Sequence, residues 1–150
     1  MNWRRIIIIV VVLAGAAAGI YGWKEYHRKN ADLAGLKPAY VIKASDLIKE
    51  YSEDESSANK KFLGKIVSVE GLVKKINHDA DGYYTVILGD TAYLSSVWCA
   101  IDTTHSADAA NLKPISSVRI KGFVTGFNKD ELGLGADVRL NQSVVEKHNN

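Results

Sequence analysis

The stretch KIVSVEGLVKKI, Lys65 to Ile76, decides the fold. Val67, Val69, Gly71 and Val73 fall on one face of an extended chain, and Ser68, Glu70, Leu72 and Lys74 fall on the other. A period of two is the mark of a strand with one buried face. The same alternation recurs downstream. Tyr84, Val86 and Leu88 alternate with Tyr83, Thr85 and Ile87; Val97, Cys99 and Ile101 alternate with Ser96, Trp98 and Ala100. Val118, Ile120, Gly122 and Val124 alternate with Arg119, Lys121, Phe123 and Thr125, and Leu132 to Val145 holds a last strand with Val138 and Leu140 inward. Asn77 to Gly82, Gly89-Asp90 and Asn128 to Glu131 are turn clusters. Ser106 to Leu112, ended by Pro114, is a short helical segment between the third and fourth strands.

Upstream the period changes to that of a helix. Leu47, Ile48 and Tyr51, then Ala58 and Phe62, recur at helical spacing, with the acidic run Glu53-Asp54-Glu55 interrupting them. Ser45 suits an N-cap and Asp46 the first turn. One helix, with a possible break, is expected over 45–62. Five strands with a helix after the third are the order of an OB-fold, a partly open five-stranded Greek-key barrel. Gly71 and Gly122 lie mid-strand, where a barrel bends and a flat sheet has no use for glycine. The fold class expected is therefore all-β with an N-terminal helix.

Ile6 to Trp23 carries no charge and follows Arg4 and Arg5. A helix of 18 residues spans roughly 27 Å, close to a bilayer's hydrocarbon thickness. Tyr21 and Trp23 close it where amphipathic rings favour the interface. A retained signal anchor, or transmembrane helix, is the leading reading. A signal peptide cleaved near Ala16-Ala17-Ala18 and a buried soluble helix are the alternatives. A lipoprotein anchor is excluded, because the one cysteine is Cys99. Basic residues flank both ends, so orientation rests on the short N-terminal tail staying inside. The spacing Gly15-x-x-x-Gly19 fits close helix approach but equally fits a signal sequence. The divisions expected are 1–23 anchor, 24–44 juxtamembrane linker, 45–145 OB domain and 146–150 polar tail. The domain is expected to face the extracytoplasmic side of a bacterial inner membrane.

The chain has 150 residues and a formal charge of +2. Setting Arg4 and Arg5 aside from 19 basic residues leaves 17, equal to the 17 acidic ones. The exported part is neutral, without the basic footprint that phosphate backbones require. Nucleic acid is accordingly disfavoured as a partner. A lone cysteine excludes internal disulfides and multi-cysteine zinc sites.

The quoted strands carry a resemblance. KFLGKIVSVEGLVKKI (61–76), VWCAI (97–101) and VRIKGFVTGF (118–127), preceded by a helix with Leu47, Tyr51, Glu53, Ala58 and Asn59, resemble the bacterial tRNA-anticodon-binding-like OB-fold family. The likeness covers about 45–145 and implies a small exported OB domain, often lipid-tethered in that family. Its motifs are structural rather than catalytic, and the family name denotes fold likeness, not tRNA binding. This chain departs from the lipoprotein members in lacking an N-terminal cysteine; an uncleaved helix would tether it equally well.

Chemistry-bearing residues are sparse. Asn77 to Gly82 resembles the start of a calcium loop, but the position needing a bidentate glutamate is Leu88 and the flanks are strands. Cys99 points inward as a buried thiol. His78 and His105 lie on loops with no nucleophile motif beside them. No enzyme activity, metal or cofactor is expected. The usual OB binding face, strands two and three, would carry Tyr83, Thr85, Ile87 and Trp98, bordered by Lys121 and Phe123. The helix either covers that face or caps the barrel end. The function expected is a membrane-tethered binding module for an envelope protein or an oligomeric ligand. A single-stranded nucleic-acid binder is the alternative.

Overall fold

A computed structural model of the chain describes residues 3, 14–16, 18–21, 32–129 and 135–146. The chain divides into two compact units, Met1–Ala31 and Asp32–Asn150. In the first, residues 14–16 and 18–21 are helical and exposed. Among the described residues no helix is long and apolar enough to cross a membrane, and most of the 6–23 run lies outside them.

The second unit runs β1 (Tyr40–Lys43), α1 (Ala44–Glu53), α2 (Glu55–Phe62), β2 (Ile66–His78), β3 (Tyr84–Leu88), β4 (Ser96–Ile101), α3 (Ser106–Ala110), β5 (Ser117–Lys129) and β6 (Ala136–Glu146). Five strands close into a barrel in the order β2-β3-β4-β6-β5, and β5 returns to pair with β2. The β4–β6 pair is parallel and the other four barrel pairs are antiparallel. β3 pairs with β2 only from Val73 onward, and the flank of β2 that it leaves open at 67–70 is taken by β1. The expected helix between the third and fourth barrel strands is present as α3, after a 3-10 turn at Thr103–His105.

The inward phase holds. Val67, Val69, Val73, Val86, Leu88, Val97, Cys99, Ile120, Val124 and Val138 are fully buried. Leu47 and Tyr51 of α1 and Phe62 of α2 join this same interior cluster. The helices therefore plug an open end of the barrel rather than cover its outer wall. Tyr51 stacks on Phe127 at 5.0 Å between ring centroids, and Phe62 meets Tyr40 edge-on at 5.2 Å. The break expected from the acidic run falls at Asp54, whose extended backbone ends α1. Its carboxylate then caps α2, accepting from the Ser57 N–H at 3.0 Å and the Ser57 hydroxyl at 2.6 Å. Ser45 does not cap α1: the N-cap is Lys43, and Ser45 lies inside the first turn, donating to Asp46.

β2 changes partner along its length. Residues 66–72 pair with β5 and Val73 onward pairs with β3, so Gly71 sits beside the changeover. A Cβ there would stand 3.0 Å from Ala44 Cβ, at the start of α1. Gly122 faces a bulge in β6, where pairing jumps from Lys121–Val144 to Phe123–Asn141 and Gln142 takes φ 52°.

The expected linker over 24–44 ends earlier than its composition suggested. Leu33–Gly35 forms a 3-10 turn with Leu33 buried, capped by Asp32, and β1 lies parallel to β2. Residues 32–36 form a strap over the outer side of β5 and β6. Lys121 is 4% exposed; its ammonium donates to the Ala34 carbonyl at 3.1 Å and the Leu36 carbonyl at 2.7 Å, and pairs with Glu146 at 3.5 Å. A buried lysine persists only when its donors are satisfied in this way. Ser68 and Val144, on the same outer side, are also buried.

Ile115 is a β-branched residue at φ 68° in a turn after Pro114, closed by the Ser116 N–H to Lys113 carbonyl bond of 3.3 Å. Positive φ at this turn position favours glycine, and a β-branched side chain there is strained by roughly 1–3 kcal/mol. Ile115 is 74% exposed, so truncation loses no burial. Ile115→Gly is expected to stabilise the domain by about 1 kcal/mol net of glycine's unfolded-state entropy. A rise in thermal midpoint checks this; an unchanged or lower midpoint contradicts it.

Candidate ligand-binding face

Because Val86, Leu88, Val97 and Cys99 fill the barrel, their neighbours Thr85, Ile87, Trp98 and Ala100 point outward. Cross-strand register extends that wall on both sides. Lys75 of β2 is opposite Ile87, Ile87 is opposite Trp98, and Trp98 is opposite Arg139 of β6. One row on the outer wall thus reads cation, aliphatic, aromatic, cation. Lys75 and Arg139 are exposed, and neither forms an ion pair among the described residues.

The six residues singled out from sequence do not form one face. Thr85, Ile87 and Trp98 share the β3–β4 wall, and Tyr83, 53% exposed, stands at its end. Ile87 is 6% exposed, wedged in the row between Lys75 and Trp98. Trp98 is half-buried; its indole N–H is fully buried and has no hydrogen-bond partner among the described residues. Lys121 and Phe123 are on β5, which β6 separates from β4. Phe123 is half-buried there, opposite Ile66 and Asn141. Lys121 is spent on the strap, so it offers no charge to a ligand on the β3–β4 wall.

The sequence reading missed Lys75 and Arg139. A β-bulge between Val73 and Lys75 resets the alternation, turning Ile76 toward the core and Lys75 outward. The signal was the three-residue spacing of Val73 and Ile76, both apolar. Arg139 was legible as the residue between inward Val138 and Leu140.

The remaining chemistry is structural. Burial pushes the Cys99 thiol far above its ordinary range, so it stays protonated. The Asp79 carboxylate accepts from the N–H groups of Asp81 (3.1 Å) and Tyr83 (2.8 Å), which fixes the turn between β2 and β3. His105 meets Asp32 at 2.9 Å, while His78 stacks on Tyr84 at 4.3 Å. Hydrogen bonds from the Ala34 N–H and from His105 hold the Asp32 carboxyl below the usual carboxylate range. Among the described residues no three His, Cys, Asp or Glu side chains are grouped to hold a metal.

A closed five-stranded barrel with a helix between its third and fourth strands defines an OB-fold protein. The tRNA_anti-like family profile matches residues 1–135, and the chain belongs to that family. Among solved structures, the chain is similar to a candidate nucleic acid-binding lipoprotein from Klebsiella pneumoniae subsp. pneumoniae. Identity is 20%, coverage is 80% of this chain and all of that one, and the TM-score is 0.56, a likeness of fold. Weaker likenesses join it to an aspartyl-tRNA synthetase from Entamoeba histolytica (15% identity, 79% of this chain, 23% of that one, TM-score 0.45). They extend to an asparaginyl-tRNA synthetase from Pyrococcus horikoshii (19%, 58%, 21%, 0.40). The chain spans about a fifth of either synthetase. No curated protein matches it.

Proposed function

We propose that this protein is a non-enzymatic binding module, held at the extracytoplasmic side of a bacterial membrane by its apolar N-terminal segment. Its barrel takes an extended ligand, an envelope protein segment or an oligomeric chain, across the outer wall of β3 and β4. The observation that carries this reading is the Lys75–Ile87–Trp98–Arg139 row. It sets an apolar centre, Ile87 buried and Trp98 half-buried, between two exposed cations that form no ion pair among the described residues. A buried, unbonded indole N–H costs roughly 1–3 kcal/mol. A ligand that shifts Trp98 and gives this N–H an acceptor would recover that energy.

The same row favours a second reading, single-stranded nucleic acid, since an aromatic platform between cations can stack a base and pair with phosphates. Magnitudes decide against it as the first choice. Two cations neutralise two phosphates, a salt slope of about −1.4 for a single strand. Stacking on Trp98 contributes roughly 1–3 kcal/mol per base. Over 65–145, eight basic residues stand against nine acidic ones. Fluorescence anisotropy with labelled single-stranded DNA and RNA is therefore expected to show no binding at micromolar protein and physiological salt. Sub-micromolar affinity, lost on Trp98→Ala and weakened by Lys75→Ala or Arg139→Ala, would put the nucleic-acid reading first.

A further inference from the structure

One end of the barrel carries apolar side chains that the core does not use. Leu72, Tyr93 and Ile115 are 44%, 68% and 74% exposed. Backbone bonds gather them around residues 72–74: the Ile115 N–H donates to the Val73 carbonyl at 2.8 Å, and the Gly89 N–H to the Leu72 carbonyl at 3.0 Å. The Lys74 ammonium donates to the Tyr93 carbonyl. A groove of about 460 Å³ runs beside them, with Ile48, Leu72 and Tyr93 in its wall and Lys43 and Lys49 on the α1 side. Lys113 opens the turn that presents Ile115. Of the acids here, Glu70 is paired with Arg119 at 2.7 Å, and Asp90 accepts from the Ala92 N–H of its own loop at 2.8 Å.

We propose that this end of the barrel is a membrane-contact surface, in which Leu72, Tyr93 and Ile115 enter the headgroup–acyl boundary of an anionic bilayer. It rests on the reading of the chain as membrane-held and adds a second contact to the N-terminal segment. Three observations favour lipid over a protein partner. Tyr93 and Ile115 stand on turn tips, and a fluid bilayer receives protrusions without a matching cavity. Tyrosine prefers the interfacial depth, and the bordering Lys43 and Lys113 suit anionic headgroups, as does Lys49 once it leaves its exposed pair with Glu53 at 3.8 Å. Ile115 holds its side chain in solvent at a strained φ, as residues kept for a contact do.

The test uses the full chain with Cys99→Ala, floated with vesicles of phosphatidylglycerol and phosphatidylcholine. An environment-sensitive fluorophore is placed at Tyr93→Cys, at Ile115→Cys or, as a control at the other end of β3, at Tyr83→Cys. The chain is expected to float, with positions 93 and 115 quenched by spin-labelled lipid at least threefold more than position 83. Replacing phosphatidylglycerol by phosphatidylcholine should reduce the quenching at 93 at least twofold. Ile115→Gly should reduce it similarly while raising the thermal midpoint, which separates lost contact from lost folding. A chain that floats with 93 and 115 no more quenched than 83 overturns the proposal and leaves the N-terminal anchor standing. A blue shift at 93 without lipid quenching marks a protein contact instead and also overturns it. A chain that does not float removes the membrane-held reading and this one with it.

Discussion

Replacing Gly122 by valine is expected to destabilise the domain by about 3 kcal/mol, at the upper end of what overpacking costs. Even its Cβ would stand 2.5 Å from Ser143 Oγ, 3.1 Å from Leu140 Cβ and 3.3 Å from the Asn141 carbonyl oxygen. None of these can withdraw easily. Ser143 is fully buried in the β6 bulge, and its carbonyl accepts from the Asp102 N–H at 2.9 Å. Leu140 is in the core. Gly71→Val should cost less, because its tightest contact, Ala44 Cβ at 3.0 Å, belongs to a helix start that can shift. Gly126→Val is the control, with nothing within 4 Å of the added Cβ. Urea midpoints should fall in the order Gly126, Gly71, Gly122, the last lowest. Equal midpoints for the 122 and 126 variants would mean that the β6 bulge is misplaced.

Phe62→Ala should cost about 4 kcal/mol, within the usual range for deleting a buried aromatic ring. Phe62 is fully buried and is the last residue of α2. Its ring is the hinge of the barrel's end plug, edge-on to Tyr40 of β1 and 6.1 Å from Tyr51 of α1. Removing it opens a cavity under both helices and frees β1 from its aromatic neighbour. Denaturant titration of the variant checks this. A loss below about 1 kcal/mol would show that the helices are not seated on the barrel core.

The strands were legible because a barrel buries one face of each, and that demand writes itself into the sequence every second residue. Val69, Val86 and Ile120, on three different strands, are all fully buried as that phase requires. The break between the helices was legible in Glu53-Asp54-Glu55, since a short acid is a better cap than a helix interior. What escaped was set by contacts distant in sequence. β1 is only four residues long, too short for a period to stand out, and it exists because β2 offers it a free flank.

The outward face was harder to read than the inward one. Nothing local tells an exposed lysine from one that clasps carbonyls 85 and 87 residues away, so Lys121 read as a surface cation. The bulge at Val73–Lys75 exchanged the two faces of β2 midway and put Lys75, rather than Lys74, on the binding wall. The candidate site was therefore partly visible: Ile87, Trp98 and the outward phase of Arg139 followed from alternation, and the place of Lys75 beside them came only from register.

The claim that ligand binds on the β3–β4 wall is tested most directly by placing a photo-crosslinking amino acid at Lys75, Arg139 or Phe123 in the full chain, in native membranes. Positions 75 and 139 flank the proposed site, and 123 lies on β5, outside it. The expected result is one shared adduct from 75 and 139, abolished by Trp98→Ala, and none from 123. An adduct from 123 equal to those from 75 and 139, or one that survives Trp98→Ala unchanged, would contradict the assignment of the face.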